Sequence, residues 1–163
     1  LAHKRKGGEM KRLNPEYIES IKKMVNNCPY FTLISMEIKE LGMGKSVLEV
    51  QVKEKHLQPF EMVHGGVFSS LMDAAIFWAV YPQIQDGLGL TTVELKINYL
   101  APKSSGSLIA RGKTIKIGRT LCLGEGFIED EDGRLLAHGT ETMMILEGLK
   151  FKGHEDLPPK FLD

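Results

Sequence analysis

Hydrophobic positions along this chain change period more than once. From Asn14 they recur at helical spacing: Tyr17, Ile18, Ile21, Met24 and Val25 fall on one face, with Lys22 and Lys23 toward the far end. Asn14-Pro15-Glu16 offers a cap, a proline at the first helical position and an acid in the first turn. The pattern predicts an amphipathic helix from there to Asn26-Asn27, ahead of Pro29. Tyr30 to Leu41 alternates imperfectly and reads as a strand. Gly42-Met43-Gly44-Lys45 then turns the chain, and Val47 to Val52 returns it as the second arm of a hairpin. Val67 to Tyr81 is apolar on nearly every side, which predicts a buried helix of about 15 residues, roughly 22 Å long, ended by Pro82. Period two follows. Val93, Leu95, Ile97 and Tyr99 share one face of Thr91–Leu100, and Glu94, Lys96 and Asn98 share the other. Three further strands are predicted at Leu108–Ile117, Thr120–Glu129 and Arg134–Leu146, broken at Gly118-Arg119 and at Asp130-Glu131-Asp132-Gly133. A single all-apolar helix among antiparallel strands must be wrapped by the sheet, so the expected class is α+β.

Length and composition narrow this picture. The 163 residues argue for one domain, placed at 14–147, with an N-terminal extension at 1–13 and a C-terminal extension at 148–163. The tail is polar and carries Pro158-Pro159, and is expected to pack weakly or against a neighbouring subunit. Lys6-Gly7-Gly8-Glu9-Met10, reverse-translated, reads as a purine-rich ribosome-binding sequence before a start codon, so Met10 is expected to be the native start. Lys plus Arg equals Asp plus Glu at 21 each, which removes any general attraction to nucleic acid or to an anionic membrane. The basic N-terminus has no apolar stretch behind it, and the run around Ala74–Val80 is too short to span a bilayer. Cys28 and Cys122 form neither a disulfide framework nor a metal-ligand spacing; reduced thiols fit a cytoplasmic location. No ligand cluster for a metal is present, and no cofactor is expected.

Chemistry concentrates in Gln58-Pro59-Phe60-Glu61-Met62-Val63-His64-Gly65-Gly66 and in the single acid of the apolar helix, Asp73. A His-Gly-Gly turn feeding a helix presents bare amide N–H groups that suit an anion or a polarised carbonyl. A carboxylate within an apolar helix requires a partner or a task. Read alone, Asp73 is either a buried acid paired with a hydroxyl or lysine, or a reacting group. Gly65 and Asp73 are eight residues apart, or about 12 Å along one helix axis. A nucleophile and an oxyanion donor must both lie about 3 Å from one carbonyl. If both residues act on one substrate, they must come from two antiparallel copies, and the enzyme is at least a dimer.

The ordered set formed by Gln58, His64-Gly65-Gly66, Asp73, Thr92-Val93-Glu94-Leu95-Lys96-Ile97-Asn98-Tyr99-Leu100 with Pro102, Gly118-Arg119-Thr120 and Asp132-Gly133-Arg134-Leu135-Leu136-Ala137 resembles the PaaI-like hotdog-fold thioesterases. The resemblance runs from about Tyr30 to Leu146. It implies a hotdog fold, a curved antiparallel sheet around one long central helix, here preceded by the N-terminal amphipathic helix. It also implies hydrolysis of acyl-CoA by dimers that often pair into tetramers, so a homotetramer is expected. By the same resemblance, the Gly65 N–H polarises the thioester carbonyl, and Asp73 is nucleophile or general base. Gln58 positions substrate or water, His64 orders the loop, and Thr92 assists the water. Gly66 and the Gly118-Arg119-Thr120 turn stand as substrate contacts, the latter toward CoA phosphates, although a basic hairpin tip reads the same way. His56, His138 and His154 are expected to be structural, and Trp78 to belong to the core or a dimer interface. The competing function is an acyl-CoA-binding module without turnover, which an intact Asp73 disfavours. A hydratase would require a differently spaced acid and histidine pair.

Overall fold

The computed structural model describes residues 12–162. In chain order the elements are β1 (Arg12–Leu13), α1 (Pro15–Asn26), α2 (Pro29–Ile34), β2 (Met36–Gly42), β3 (Lys45–Gln51), α3 (Gly65–Val80), β4 (Leu88–Tyr99), β5 (Ser107–Ile117), β6 (Leu121–Glu129), β7 (Leu135–Glu147) and β8 (Phe161–Leu162). Strands β2 to β7 form one antiparallel sheet in the order β2-β3-β5-β6-β7-β4, wrapped around α3 in a hotdog fold. The class and the central helix are those the sequence predicts.

The α1 cap is as expected, with Asn14 Oδ1 accepting from Glu16 N–H at 3.0 Å. The segment from Tyr30 is not. Pro29 opens a six-residue helix instead of a strand, and Ser35 ends it in the left-handed region at φ 52°. Pro29 fits the first helical position and only Phe31 of the turn is buried, so the imperfect alternation reflected a short helix followed by a strand. Helix α3 likewise begins two residues earlier than the apolar pattern, because the glycines carry no side chain for a pattern to register.

Helix and sheet meet at close range. The inward face beneath α3 carries Gly112, Gly124, Gly126 and Gly139. A Cβ on Gly112 would lie 2.0 Å from Ala75 O, and one on Gly126 would lie 2.6 Å from Met72 Sδ. Sheet hydroxyls bond the helix directly: Ser46 Oγ donates to Ala75 O at 2.6 Å and Thr114 Oγ1 to Ala79 O at 3.1 Å. Around these contacts Leu71, Met72, Ala75, Ile76, Leu108, Ile128, Leu136 and Met143 are fully buried.

The sheet's two edges differ. Edge β2 is covered by α1, where Asn26 accepts from Ile38 N–H at 2.8 Å and donates to Ile38 O at 3.2 Å. Edge β4 is twelve residues long, with Val93 and Tyr99 each 54% exposed, and has no such cover among the described residues.

The C-terminal tail is tied down, contrary to the weak packing expected of it. Lys160 is 2% exposed, and its Nζ donates to Tyr81 O at 2.8 Å and Ile84 O at 2.9 Å, just beyond the C-terminal end of α3. Burial pushes this amine down to about 8. Strand β8 pairs with β1, so Arg12 and Leu13 belong to the folded body and not to an extension. The remainder of the N-terminal extension, Met10 included, lies outside the described residues.

Candidate active site

The turn before α3 is built from local bonds. His64 has the extended backbone of a helix cap, and its Nδ1 accepts from Gly66 N–H at 2.9 Å. The ring proton is therefore on Nε2. Behind it sits His56, 2% exposed, whose Nδ1 accepts from Lys53 N–H at 2.9 Å while its carbonyl accepts from His64 N–H at 2.8 Å. Burial pushes the His56 ring below its ordinary value, which keeps Nδ1 available as an acceptor. A bridge between Leu57 and Val63 closes the loop between them, with Glu61 in the left-handed region at φ 59°. Gln58 Oε1 accepts from Phe60 N–H at 2.7 Å, and its Nε2 has no acceptor among the described residues.

Gly65 is the first residue of α3, so its N–H has no acceptor within the helix and lies at the positive end of the helix dipole. It lines a groove of about 300 Å³ with Gln58, Met62, Val63, Phe68 and Tyr99. The Tyr99 hydroxyl lies 3.3 Å from Gly65 O and 2.7 Å from Ser69 Oγ, which fixes the wall of this groove.

Asp73 opens into a different cavity, of about 330 Å³, lined also by Tyr30, Phe31, Met36, Ser69, Ser70 and Leu95. The carboxylate is half-buried, and Thr92 Oγ1 lies 3.0 Å from its Oδ1. Burial pushes its pKa above the ordinary carboxylate range, opposed by the Thr92 bond. That contact depends on an irregularity that strict alternation conceals. In β4 the register against β7 slips between Thr92 and Glu94, leaving Val93 as an extra residue. Thr92 pairs with Met143 and Leu95 with Glu141, both buried, so the bulge brings Thr92 onto the face that holds Leu95, Ile97 and Tyr99. Without it, Thr92 would point away with Glu94. Bulges beside active sites commonly re-aim a side chain in this way.

The predicted residues thus fall into two groups. Gln58 and Gly65 share one groove, with His64 bracing the turn, while Asp73 and Thr92 meet at the other cavity. The Gly66 N–H is engaged by His64 Nδ1. Gly118, Arg119 and Thr120 sit at the β5–β6 tip and line neither cavity. His138 and His154 lie against Phe127 and Phe151, and Trp78 is buried in the core. Sequence reasoning missed Glu141, 1% exposed, whose Oε1 lies 2.7 Å from Thr92 Oγ1. Its signal was present: in β7 the inward positions Ala137, Gly139 and Met143 are apolar or small, and Glu141 is the lone acid among them. Among the described residues no group of three or more His, Cys, Asp or Glu side chains is arranged to hold a metal, and no helix is long and apolar enough to cross a membrane.

Comparison with known proteins bears on the family and the fold. The family model of the thioesterase superfamily matches residues 60–137. The 1,4-dihydroxy-2-naphthoyl-CoA hydrolase of Listeria monocytogenes is 34% identical over 69% of this chain and 91% of its own. Human acyl-coenzyme A thioesterase 13 is 27% identical over 61% of this chain and 71% of its own. Among solved structures, a thioesterase family protein from Silicibacter pomeroyi superposes with a TM-score of 0.74 at 26% identity, covering 81% of this chain and 99% of that one.

Proposed function

The chain belongs to the thioesterase superfamily, and from that premise we propose that it hydrolyses acyl-CoA thioesters at sites shared between two subunits. The observation that carries this reading is the separation of the two half-sites. On one chain the Gly65 groove and the Asp73 cavity are distinct, and the residues are about 12 Å apart along α3. An oxyanion donor and an attacking group must converge on one carbonyl. The uncovered edge of β4, beside both half-sites through Tyr99 and Thr92, is where a second copy would add its own β4 and bring Gly65 opposite the partner's carboxylate.

In this arrangement the thioester oxygen accepts a hydrogen bond from Gly65 N–H at the helix terminus, and Gln58 Nε2 holds substrate or water beside it. Asp73 acts ionised. Either it adds to the carbonyl carbon, the carbon–sulfur bond breaks to leave a mixed anhydride, and water then hydrolyses that anhydride, or it takes a proton from water as hydroxide adds and the carbon–sulfur bond breaks from the resulting adduct. In both routes the CoA thiolate leaves and is protonated. The half-burial that raises the Asp73 pKa makes its carboxylate a stronger base than an ordinary one. The relatives named as a 1,4-dihydroxy-2-naphthoyl-CoA hydrolase and an acyl-coenzyme A thioesterase support the substrate class, and the tetramer and the cytoplasmic location stay with the reading as its further expectations.

The test is complementation between two inactive variants. Asp73→Asn removes the carboxylate. Gly65→Pro removes the amide hydrogen at a position where proline is tolerated: His64 is already extended, and a Cβ at 65 meets only the Tyr99 ring at 3.5 Å. Mixed after dissociation, the variants form hybrid dimers with one intact site, and thiol release from acyl-CoA should return to about a quarter of wild type. No recovery, with hybrids demonstrated by mass, would contradict the shared site. No thiol release by the parent from aromatic, short or long acyl-CoA would favour the binding module.

A further inference from the structure

Thr92 has one hydroxyl hydrogen yet stands between two carboxyl groups, 3.0 Å from Asp73 Oδ1 and 2.7 Å from Glu141 Oε1. A hydroxyl donates once and must accept at its second contact. One of the two carboxyls therefore supplies a hydrogen of its own. Glu141 is 1% exposed, and its Oε2 has no hydrogen-bond partner among the described residues. Asp73 is half-buried and opens to a cavity. Ionising the enclosed group beside a second carboxylate is much the costlier choice. The elements packed against Glu141 offer no counter-charge: α3 presents Asp73, β4 presents Thr92 and Leu95, and β6 presents Gly124. No salt-bridge partner of Glu141 occurs among the described residues.

We propose that Glu141 is a positioning residue for the active-site acid: as a neutral carboxylic acid it donates to Thr92 Oγ1, and the Thr92 hydroxyl in turn donates to Asp73 and holds that carboxylate ionised and aimed into its cavity. The proposal rests on the reading of Asp73 as the reacting group. Glu141 itself touches no substrate. Its role is to fix the direction of the Thr92 hydrogen, which would otherwise be free to turn away from Asp73. Burial, reinforced by the Asp73 charge, pushes the Glu141 carboxyl up to about 8, so the direction holds at neutrality. Above that pH Glu141 ionises, competes for the Thr92 hydrogen and sets a second negative charge beside Asp73. Turnover should therefore fall on the alkaline side.

The first measurement is independent of turnover. In the intact protein labelled at its carboxyl carbons, NMR titration should show Glu141 protonated through neutrality and titrating lower once Asp73→Asn removes the neighbouring charge. An ionised Glu141 at neutral pH, with the proton on Asp73, overturns the proposal. The second measurement is the pH–rate profile of acyl-CoA hydrolysis. Glu141→Met keeps the volume but donates nothing, and should lose about tenfold in kcat with KM little changed. Glu141→Gln donates without titrating, and should restore most of that loss and lack the alkaline fall. A Gln variant as slow as the Met variant, or one that keeps the alkaline fall, overturns the proposal. A parent that releases no thiol at all ends the catalytic reading of Asp73, and the NMR titration alone then decides where the shared proton resides.

Discussion

The two half-sites are built by opposite means. In the Gly65 half the donor is main chain and is set locally, with His64 capping Gly66 two residues away and Gln58 bracing Phe60 two residues away, while the Tyr99 wall comes from afar. The Asp73 half is assembled at long range: Thr92 arrives from 19 residues downstream and Glu141 reaches Thr92 from 49 residues beyond it. A donor made of backbone can be placed by turn chemistry alone. A carboxylate that must stay charged inside a protein needs partners, and those come only with the finished sheet. The first half should therefore respond to changes in helix geometry, and the second to changes in charge.

The sharpest way to break this comparison is Asp73→Asn, expected to lower kcat by about 10²–10⁴-fold with the fold intact by circular dichroism. A loss below tenfold would mean that the long-range half is structural. Next comes Gly65→Pro, expected to lower kcat by about 10²–10³-fold, read on the same acyl-CoA panel, with little loss of stability. If it unfolds the protein instead, the first turn is more than a donor.

A smaller effect separates the halves by pH. A carboxyl held up in the folded state binds its proton more tightly than in the unfolded chain. The cost of Glu141 to stability is thus absent below 4.5, grows as pH rises toward about 8 and is complete above it. Urea unfolding across that window should show wild type losing stability relative to Glu141→Gln by on the order of a few kcal/mol. A constant difference across the window would remove the buried proton from the account. The smallest change is His64→Ala, which deletes a cap and should cost about 1 kcal/mol in thermal or urea unfolding, with His64→Asn recovering much of it. The same substitution should leave the pH dependence of stability due to Glu141 in place.

The same division explains what the sequence discloses. The α+β class, the buried helix and the four later strands follow from periodicity, His64, Gly65 and Asp73 stand out by turn chemistry and by an acid in an apolar helix, and the role of Gln58 comes from family resemblance. Thr92 was legible only through family resemblance, because strict alternation assigns its side chain to the wrong face until the bulge at Val93 is known. Glu141 was masked by its setting in a strand whose alternate positions are polar, although it breaks the inward pattern. The short helix Pro29–Ile34 was hidden because a six-residue turn gives too few repeats to tell helix from strand. Lys160 looked like any polar tail residue, and its burial comes from two carbonyls beyond the end of α3 that no local pattern announces.

The glycine floor beneath α3 bears on molecular fit. With Gly112 and Gly126 so close to the helix that even a methyl group would collide, α3 and its own sheet leave no room between them at these positions. On the proposed function, an acyl group would lie alongside the helix. Its permitted length would then be measured by side walls such as Phe31, Met36 and Leu95, so that enlarging those walls, and not hollowing the core, would be the route to a different preferred chain.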